Sequence, residues 1–263
     1  MRLNNKVAVI VGGGQSEGET VGNGRATAIR FAREGAAVLV VDRDLDSAEE
    51  TVKTITSEDG NASAAYSDVT REKDCKAMVI ECLSRFGRID VLHNNVGRSE
   101  GDAATTEIEE ENWLALMDVN LKSAVFTCKH VLPIMRKQGA GVITNISSTS
   151  SVCSRQTLAY KTAKAGINAM TQNMAIENAA YGVRVNAILP GLMDTPMAIE
   201  RRARERKVPR QTVRDERDGQ VPLGKMGTAW DVAAAAVFLA SEEANYITGV
   251  LLAVDGGLSA RVG

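Results

Sequence analysis

Short apolar segments alternate with longer amphipathic segments along the whole chain. Residues 6–11 and 37–41 are nearly continuous apolar runs rich in valine, as expected for strands that are buried on both faces. Between them, residues 25–34 carry apolar side chains at helical spacing and are followed by Gly35, a residue type that commonly ends helices. This order predicts two parallel strands connected by a helix.

The same alternation continues to the end of the chain, without a repeat or a linker-like composition that would divide it. Further strands are predicted at residues 62–66, 89–92, 141–146, 184–189 and 250–254. Further helices are predicted at residues 45–59, 71–86, 107–117, 119–137, 158–181 and 229–240. This alternation predicts an α/β fold, a single-domain, Rossmann-like, doubly wound parallel sheet of about seven strands with helices on both faces. We therefore expect residues 1–263 to form one domain.

Composition narrows the range of partners. The chain has 31 Lys and Arg against 33 Asp and Glu, a balance that argues against nucleic acid or an anionic membrane. No apolar run reaches the ~18 residues of a membrane span, and we expect no signal peptide. The four cysteines form no C-x-x-C motif and the two histidines are far apart, so no metal site is expected. These features predict a cytoplasmic protein with reduced thiols.

A glycine-rich segment lies between the first strand and the first helix, where a dinucleotide-binding unit has its phosphate turn. Gly13, Gly22 and Gly24 are the candidates for this contact, because glycine allows backbone N–H groups to approach a pyrophosphate. Asp42 ends the second strand, where a carboxylate can accept hydrogen bonds from the adenosine ribose and would repel a 2′-phosphate. NAD is therefore preferred over NADP. Two alternatives stay open: Asp42 could cap a helix, and Arg43 could bind a 2′-phosphate.

Tyr160 and Lys164 are four residues apart in a predicted helix, so their side chains share one face. An ammonium group at that distance favours the phenolate and is expected to lower the pKa of the tyrosine from about 10. Such a tyrosine can exchange a proton with an alcohol oxygen. Taken alone, the pair also fits an ordinary helix surface.

Several motifs occur together in an order that is more specific than any one of them. They are residues 94–97 (NNVG), Asn120, the pair Ser147 and Ser148, Tyr160 with Lys164, Pro190-Gly191 and Thr195-Pro196. On these residues the chain resembles the short-chain dehydrogenase/reductase family over nearly its whole length. The resemblance implies an NAD(H)-dependent oxidoreductase that interconverts a secondary alcohol and a ketone. An NADP(H)-dependent 3-oxoacyl reductase and a non-catalytic, cofactor-binding sensor or scaffold are the alternatives.

The resemblance also implies roles for individual residues. Tyr160 would act as general acid and base, Ser148 would polarise the substrate oxygen, and Lys164 and Asn120 would support the proton relay. The implied cofactor-binding residues are Gly13, Gly22, Asn23, Gly24, Asp42, Arg43, Asp68, Val69, Asn94, Val96, Gly97, Tyr160, Lys164, Pro190, Gly191, Met193 and Thr195. Ser147 remains an alternative to Ser148, because the family's usual spacing to the tyrosine favours the first serine and the strand end favours the second.

The chain departs from the family pattern at three places. Residues 14–21 make the glycine-rich loop longer than usual, and they would form a flap over the cofactor or a rim of the neighbouring pocket. Glu17 and Glu19 in this loop are expected to point to solvent, since acids beside a pyrophosphate are unfavourable. Gly12 and Val96 stand where the family usually has threonine and alanine.

Residues 193–225 are where the family builds a substrate lid, and here they are rich in arginine. A basic lid would recruit an anionic substrate, whereas a solvated helix with i,i+4 ion pairs would need none, and both interpretations stay open. The expected pocket walls are Arg98, Ser99, Thr149, Ser150, Gln156, Leu192 and Met193, with Arg98 or Arg155 as candidates for binding a carboxylate. Apolar residues on more than one face of the two longest helices fit the family's usual homotetramer.

Overall fold

Nine strands form two parallel sheets in the computed structural model, which describes residues 1–153 and 157–261. The strands are β1 (Val7–Val11), β2 (Ala37–Asp42), β3 (Ala62–Tyr66), β4 (Val91–Asn94), β5 (Gly141–Ile146), β6 (Val183–Pro190), β7 (Met193–Asp194), β8 (Gly227–Thr228) and β9 (Leu251–Val254). The large sheet has seven strands in the order β3-β2-β1-β4-β5-β6-β9, and β7 pairs with β8 in a separate sheet. The doubly wound parallel sheet predicted from the sequence is thereby confirmed.

Helices cover both faces of the large sheet. They are α1 (Asn23–Arg33), α2 (Leu45–Thr56), α3 (Glu72–Phe86), α4 (Glu110–Met117), α5 (Ser123–Gln138), α6 (Ala159–Asn178), α7 (Pro196–Arg206), α8 (Arg210–Asp218) and α9 (Ala229–Ala240). Alternate residues of β1 enter different cores: Ala8 and Ile10 pack with α1 and α9, while Val9 packs with α3 and α5. This two-residue periodicity explains why the strands are apolar throughout.

Polar residues account for the main errors in the predicted boundaries. The fourth strand was expected at residues 89–92 but spans β4, because His93 and Asn94 are polar and yet fully or nearly fully buried. Burial lowers the pKa of His93 to about 3, so the ring is neutral. The helix predicted from residue 107 begins at Glu110, and residues 107–108 form a turn onto the carbonyl of Ala104. Apart from the start of the helix predicted at residue 119, the other boundaries lie within three residues of their predicted positions.

Two features inside the predicted helical and lid regions were missed. A π-helical segment, Asp118–Lys122, connects α4 to α5, where one continuous helix was predicted from residue 119. The charged segment 193–225 folds into β7, α7 and α8, so the open interpretation of a solvated helix is right in kind, but no element bounds were predicted there. Its high charge hides the few apolar contacts that hold it, made by Ile199, Ala203 and Val213.

The strand order places the chemistry at one edge of the large sheet. The order reverses between β1 and β4, and parallel strands present all their carboxyl ends at the same edge. Asp42, Ser147 and Pro190 lie at or just beyond these ends. In the part of the chain that the structure describes, no helix combines the length and the apolar character needed to cross a membrane.

Candidate active site

A cavity of about 800 Å³ lies at this edge of the sheet. Its volume is in the range of sites that bind cofactors and small molecules. Most of the predicted site residues line it, namely Gly22, Asn23, Gly24, Asp42, Arg43, Asp68, Val69, Val96, Gly97, Ser148, Tyr160, Lys164, Pro190, Gly191, Met193 and Thr195. The fold therefore brings together residues that are up to 173 positions apart in the sequence, from Gly22 to Thr195.

Gly13 is the one glycine of the predicted phosphate turn that does not line this cavity. A Cβ atom on Gly13 would lie 2.7 Å from Cγ1 of Val40, so the residue is a glycine because it packs tightly against β2. Its neighbours Gly12 and Gly14 line the cavity instead. The sequence motif thus identified the turn, but not which of its glycines line the cavity.

The glycine turn forms a cradle at the start of α1. Gly12 has φ of +77°, and a Cβ on Gly24 would lie only 1.8 Å from the Gly12 carbonyl oxygen. Asn95 Nδ2 donates to the same carbonyl at 3.0 Å and holds the turn in place. Gly22 is the N-cap of α1, so the N-terminus of the helix faces the cavity. Close backbone approach and a helix N-terminus suit the pyrophosphate of a dinucleotide.

Acidic residues line the cavity beyond the ends of β2 and β3. Asp42 accepts hydrogen bonds from the N–H groups of Gly14 (3.0 Å) and Asp44 (3.1 Å). The N-cap of α2 is Asp44, which accepts from Ser47, so the alternative that Asp42 caps this helix is wrong. The Thr70 hydroxyl donates to Asp68 at 2.7 Å and lowers the pKa of that carboxyl, against the opposing effect of its burial.

Lys164 is a buried cation beneath the cavity. Only 2% of the residue is exposed, and its Nζ donates to the carbonyl of Ile146 at 2.7 Å. The same Nζ lies 5.7 Å from the centre of the Tyr160 ring. Gly97 comes so close that a Cβ there would be 3.1 Å from Nζ. Burial lowers the pKa of Lys164 to about 8, so the amine still carries its charge at pH 7.

The two candidate serines have different environments. Ser147 is 2% exposed and its hydroxyl donates to the backbone carbonyl of Lys164 at 3.0 Å. Ser148 is 9% exposed, and its oxygen accepts a hydrogen bond from the Ser150 N–H at 3.1 Å. The Ser148 hydroxyl proton is thus available to a molecule in the cavity, whereas the Ser147 hydroxyl already donates its proton to the backbone of Lys164. This geometry favours Ser148 as the residue that contacts substrate.

Asn120 and Asn94 lie behind the cavity wall. Asn120 is in the π-helical segment, a feature common at functional sites, and its amide binds both the N–H (3.0 Å) and the carbonyl (2.8 Å) of Arg98. The Asn94 amide binds Asn145 at 2.9 Å inside the sheet. Both asparagines border a void of about 10 Å³ next to Lys164, which is about the space of one water molecule.

Asp102 is a site residue that the sequence analysis missed. Its carboxylate accepts hydrogen bonds from the N–H groups of Leu158 (3.1 Å), Ala159 (3.0 Å) and Tyr160 (2.9 Å), at the start of α6. The residue thereby fixes the first turn of the helix that carries Tyr160 and Lys164. No local pattern signals this role, because Asp102 lies in a loop 56 residues before its first partner in the helix.

The long glycine-rich loop rests against segment 193–225. Glu19 is exposed as expected, and it also forms ion pairs with Arg210 (3.3 Å) and Arg214 (3.1 Å) of α8. Glu17 is exposed as expected. Gln15 and Ser16 line the cavity, which makes the loop part of its rim. The sequence could not show these ion pairs, because they join residues almost 200 positions apart.

Segment 193–225 also supplies part of the cavity wall. Arg201, Arg202 and Arg217 line the cavity, and Arg201 forms the predicted i,i+4 pair with Glu205 at 3.6 Å. Of the predicted pocket walls, Arg98, Ser99, Thr149, Ser150, Leu192 and Met193 line the cavity. Arg155 and Gln156 lie outside the described residues. Residues 1–153 and 157–261 contain no cluster of three or more His, Cys, Asp or Glu side chains suited to a metal ion.

Replacing Asp102 with asparagine is expected to lower the free energy of unfolding by about 1–2 kcal/mol, the usual effect of losing a helix cap. An amide nitrogen in place of one carboxylate oxygen would face a backbone N–H of α6 instead of accepting from it. Urea unfolding monitored by circular dichroism measures the change. Glu100→Gln is the matched control, because Glu100 is an exposed acid in the same loop. Equal stability of the two variants would contradict this role of Asp102.

The buried charge of Lys164 predicts a specific dependence of stability on pH. The pKa of Lys164 is about 8 in the folded protein and 10.5 in its ordinary state. As the pH rises from 8 to 10.5, we expect the unfolding free energy of the wild-type protein to increase by about 3 kcal/mol relative to that of Lys164→Met. In that range the unfolded chain keeps a proton that the folded chain has released, so raising the pH favours folding. Below pH 8 Lys164 is protonated in both the folded and the unfolded chain, so the difference in unfolding free energy between the two proteins is expected to be constant.

Urea unfolding of both proteins across this pH range tests the prediction. Burial raises the pKa values of Cys75, Cys82 and Cys128 to about 12, but these thiols titrate in both proteins and cancel in the difference. A difference in unfolding free energy that does not change with pH would show that Lys164 is not a buried cation.

Comparison with known proteins agrees with the fold and the cavity. Residues 19–259 match a family model described as Enoyl-(Acyl carrier protein) reductase. The chain is 36% identical over 260 residues to the 3-oxoacyl-(acyl-carrier-protein) reductase FabG of Thermotoga maritima, covering 98% of this chain and 99% of the relative.

Two solved structures have the same architecture. Levodione reductase superimposes with a TM-score of 0.93 at 32% identity, covering 99% of this chain and all of that one. A 7α-hydroxysteroid dehydrogenase in complex with NADH and 7-oxo glycochenodeoxycholic acid superimposes with a TM-score of 0.86 at 31% identity, covering 97% and 95% of the two chains. The chain therefore belongs to the short-chain dehydrogenase/reductase family, whose members are NAD(P)-dependent oxidoreductases that act on CH–OH groups.

Proposed function

We propose that the protein is an NAD(H)-dependent oxidoreductase that interconverts a secondary alcohol and a ketone, with Tyr160 as general acid and base. The observation that carries this proposal is the meeting of Ser148, Tyr160 and Lys164 in one cavity with a glycine turn at a helix N-terminus. Membership of the short-chain dehydrogenase/reductase family supports it.

The residues present fit a dinucleotide along the cavity. Gly12, Gly14 and the N-terminus of α1 would hold the pyrophosphate, and Asp42 would accept hydrogen bonds from the adenosine ribose. Asp68 and Val69 would contact the adenine, while Lys164 would bind the ribose at the other end. The backbone around Val96 and Gly97 would border that second ribose, and Pro190, Gly191, Met193 and Thr195 would fix the orientation of the nicotinamide. When bound, the nicotinamide supplies or accepts the hydride.

The protein's own part in the reaction is to position the substrate and move a proton. Ser148 donates a hydrogen bond to the substrate oxygen and holds it beside Tyr160. Tyr160 gives its proton to that oxygen in reduction and takes it back in oxidation. The charge on Lys164 stabilises the phenolate that this leaves. Asn120 and the small void beside Lys164 would lead the proton onward through a water molecule.

The cofactor preference rests on the charge of Asp42, and one observation favours the rival. Arg43 is exposed and lines the same end of the cavity, where it could bind a 2′-phosphate. The similarity to FabG also makes an NADP(H)-dependent 3-oxoacyl reductase the second candidate. A non-catalytic sensor or scaffold has no comparable support, because the Ser, Tyr and Lys side chains converge on one cavity.

We also propose that segment 193–225 acts as the substrate lid and that the protein assembles as a homotetramer. The segment carries cavity-lining residues on α7, and α8 forms ion pairs with Glu19 of the glycine-rich loop. The outer face of α6 carries apolar residues that are exposed in the single chain, as at Ala165, Ala169 and Ile176, which is 80% exposed. Burial of such a face against a second copy would be favourable.

Replacing Asp42 with asparagine is expected to narrow a preference for NADH over NADPH by at least about tenfold, or ~1.4 kcal/mol. The amide keeps an acceptor for Gly14 but no longer repels a 2′-phosphate. Nicotinamide fluorescence titrations of both proteins with both cofactors give the ratio, and Asp46→Ala, an exposed acid nearby, is the control. Tighter binding of NADPH by the wild-type protein would instead favour Arg43 and the 3-oxoacyl reductase.

Replacing Tyr160 with phenylalanine is expected to lower kcat by about 10²–10⁴-fold, the usual contribution of a general acid or base. NADH affinity should stay within about twofold, since only one hydroxyl is removed. Activity is measured with NAD on the best of a panel of secondary alcohols. Tyr181→Phe, which alters a half-exposed tyrosine packed under Arg136, should leave activity unchanged. A Tyr160→Phe protein with full activity would require another proton donor.

A further inference from the structure

Two arginines on the wall of the cavity carry buried nitrogen atoms that have no hydrogen-bond partner. They are Arg98, in the loop after β4, and Arg201, on α7. We propose that the substrate carries an anionic group, a carboxylate or a sulfonate, that binds between Arg98 and Arg201. This inference rests on the proposed function and names the class of substrate for the same cavity.

Arg98 is fixed by its backbone but not by its side chain. Both its N–H and its carbonyl are bound by the Asn120 amide, at 3.0 and 2.8 Å. Its Nε is buried without a hydrogen-bond partner, and the guanidinium forms no ion pair with the described residues. Leaving a buried charged donor unpaired is unfavourable, so this group is suited to a ligand that supplies the missing acceptor.

Arg201 approaches the same place from the opposite wall. Its Nη2 donates to the hydroxyl of Ser99 at 3.1 Å, and Ser99 is the residue next to Arg98. Its Nε is also buried without a hydrogen-bond partner. The Glu205 carboxylate lies 3.6 Å from Nε, beyond hydrogen-bonding distance, and its side chain is 54% exposed. A salt-bridge partner in solvent contributes little, so Arg201 keeps most of its capacity to bind an anion.

The nearby half-buried carboxylate of Asp102 is committed to other partners. Asp102 also lines the cavity, but its two oxygens accept four backbone N–H groups, three of them at the start of α6. The other acids on this wall, Glu100 and Glu205, are exposed, so solvent screens their charges from Arg98 and Arg201.

The position of the pair separates it from the phosphate and ribose end. Arg98 directly follows Gly97, which approaches Lys164 Nζ, so Arg98 lies on the Tyr160 side of the cavity. Asp42 is the last residue of β2, which lies two strands away from β4, a separation of roughly 10 Å across the sheet. A guanidinium presents parallel N–H donors that match the two oxygens of a carboxylate or sulfonate. The anionic group of the substrate would thus bind the two arginines while its reacting oxygen contacts Ser148 and Tyr160.

Matched pairs of keto acids and their methyl esters test the proposal, because the ester removes only the charge. The probes are acetoacetate, 4-oxopentanoate and 4-oxocyclohexanecarboxylate, each compared with its methyl ester in NADH-dependent reduction. We expect kcat/KM for at least one acid to exceed that of its ester about tenfold or more. Arg98→Gln and Arg201→Gln should each lower the value for the acid about tenfold or more and leave the value for the ester within about twofold.

Arg204→Gln is the matched control, because Arg204 is an exposed arginine on the same helix as Arg201. This variant should have the same kcat/KM as the wild-type protein for both the acid and the ester. Equal use of acids and esters by the wild-type protein, or an equal loss for both in the two variants, would overturn the proposal. Retained activity on the ester shows in the same assay that a variant is folded.

The failure of the proposed function would be visible separately. If no probe is reduced although NADH binds, the proposed ketone reduction is wrong. Calorimetric titration of the protein–NADH complex with each acid and ester then tests the anion site between Arg98 and Arg201 by itself. Binding that prefers the acid and is lost in Arg98→Gln and Arg201→Gln would support the site. Equal binding of acid and ester, or no binding of any acid, would overturn it.

Discussion

The buried charge of Lys164 is the constraint on which the rest of the site depends. A charged amine that is almost fully removed from water needs strong acceptors, and the carbonyl at the end of β5 is such an acceptor, 2.7 Å away. The lysine therefore fixes the distance between α6 and the carboxyl end of the sheet. Tyr160 follows from this position, since it lies one turn before Lys164 on the same helix. Gly97 must lack a side chain for the same reason.

A chain of buried polar contacts keeps this arrangement in register. The Thr127 hydroxyl on α5 donates to Asn94 on β4, whose amide donates to Asn145 on β5, whose amide in turn donates to Thr171 on α6, at 2.8, 2.9 and 3.0 Å. Such a network is stabilising only when its donors and acceptors are paired, so it favours one alignment of the two helices and two strands. Ser147 adds a further bond from the end of β5 to the backbone of Lys164.

Sequence reasoning reached the parts of the site that are set by local spacing. The Tyr160–Lys164 pair, the acid at the end of β2 and the seven-strand alternation all follow from periods of two or four residues. Contacts between distant segments left no such signal, as with the hydrogen bonds of Asp102 to the start of α6 and the ion pairs of Glu19 with α8. The place of Gly13 outside the cavity wall had no signal for a different reason, because residues 12–14 are all glycine and only packing against Val40 distinguishes Gly13 from its neighbours. Burial of His93 and Asn94 was equally hidden, since polar residues end a strand in most sequences.

The long glycine-rich loop connects the two halves of the cavity by direct contacts. At one end, the Gln15 side chain accepts a hydrogen bond from Gly22 at the start of α1. At the other, Glu19 pairs with Arg214, which also binds Asp194 of β7 at 3.0 Å. Each exposed ion pair contributes at most about 1 kcal/mol, so the loop does little for global stability. Its effect is local: the turn that faces the cofactor end and the segment that carries Arg201 share one set of contacts. The extra residues thus belong to the architecture of the cavity, as a rim that both ends touch.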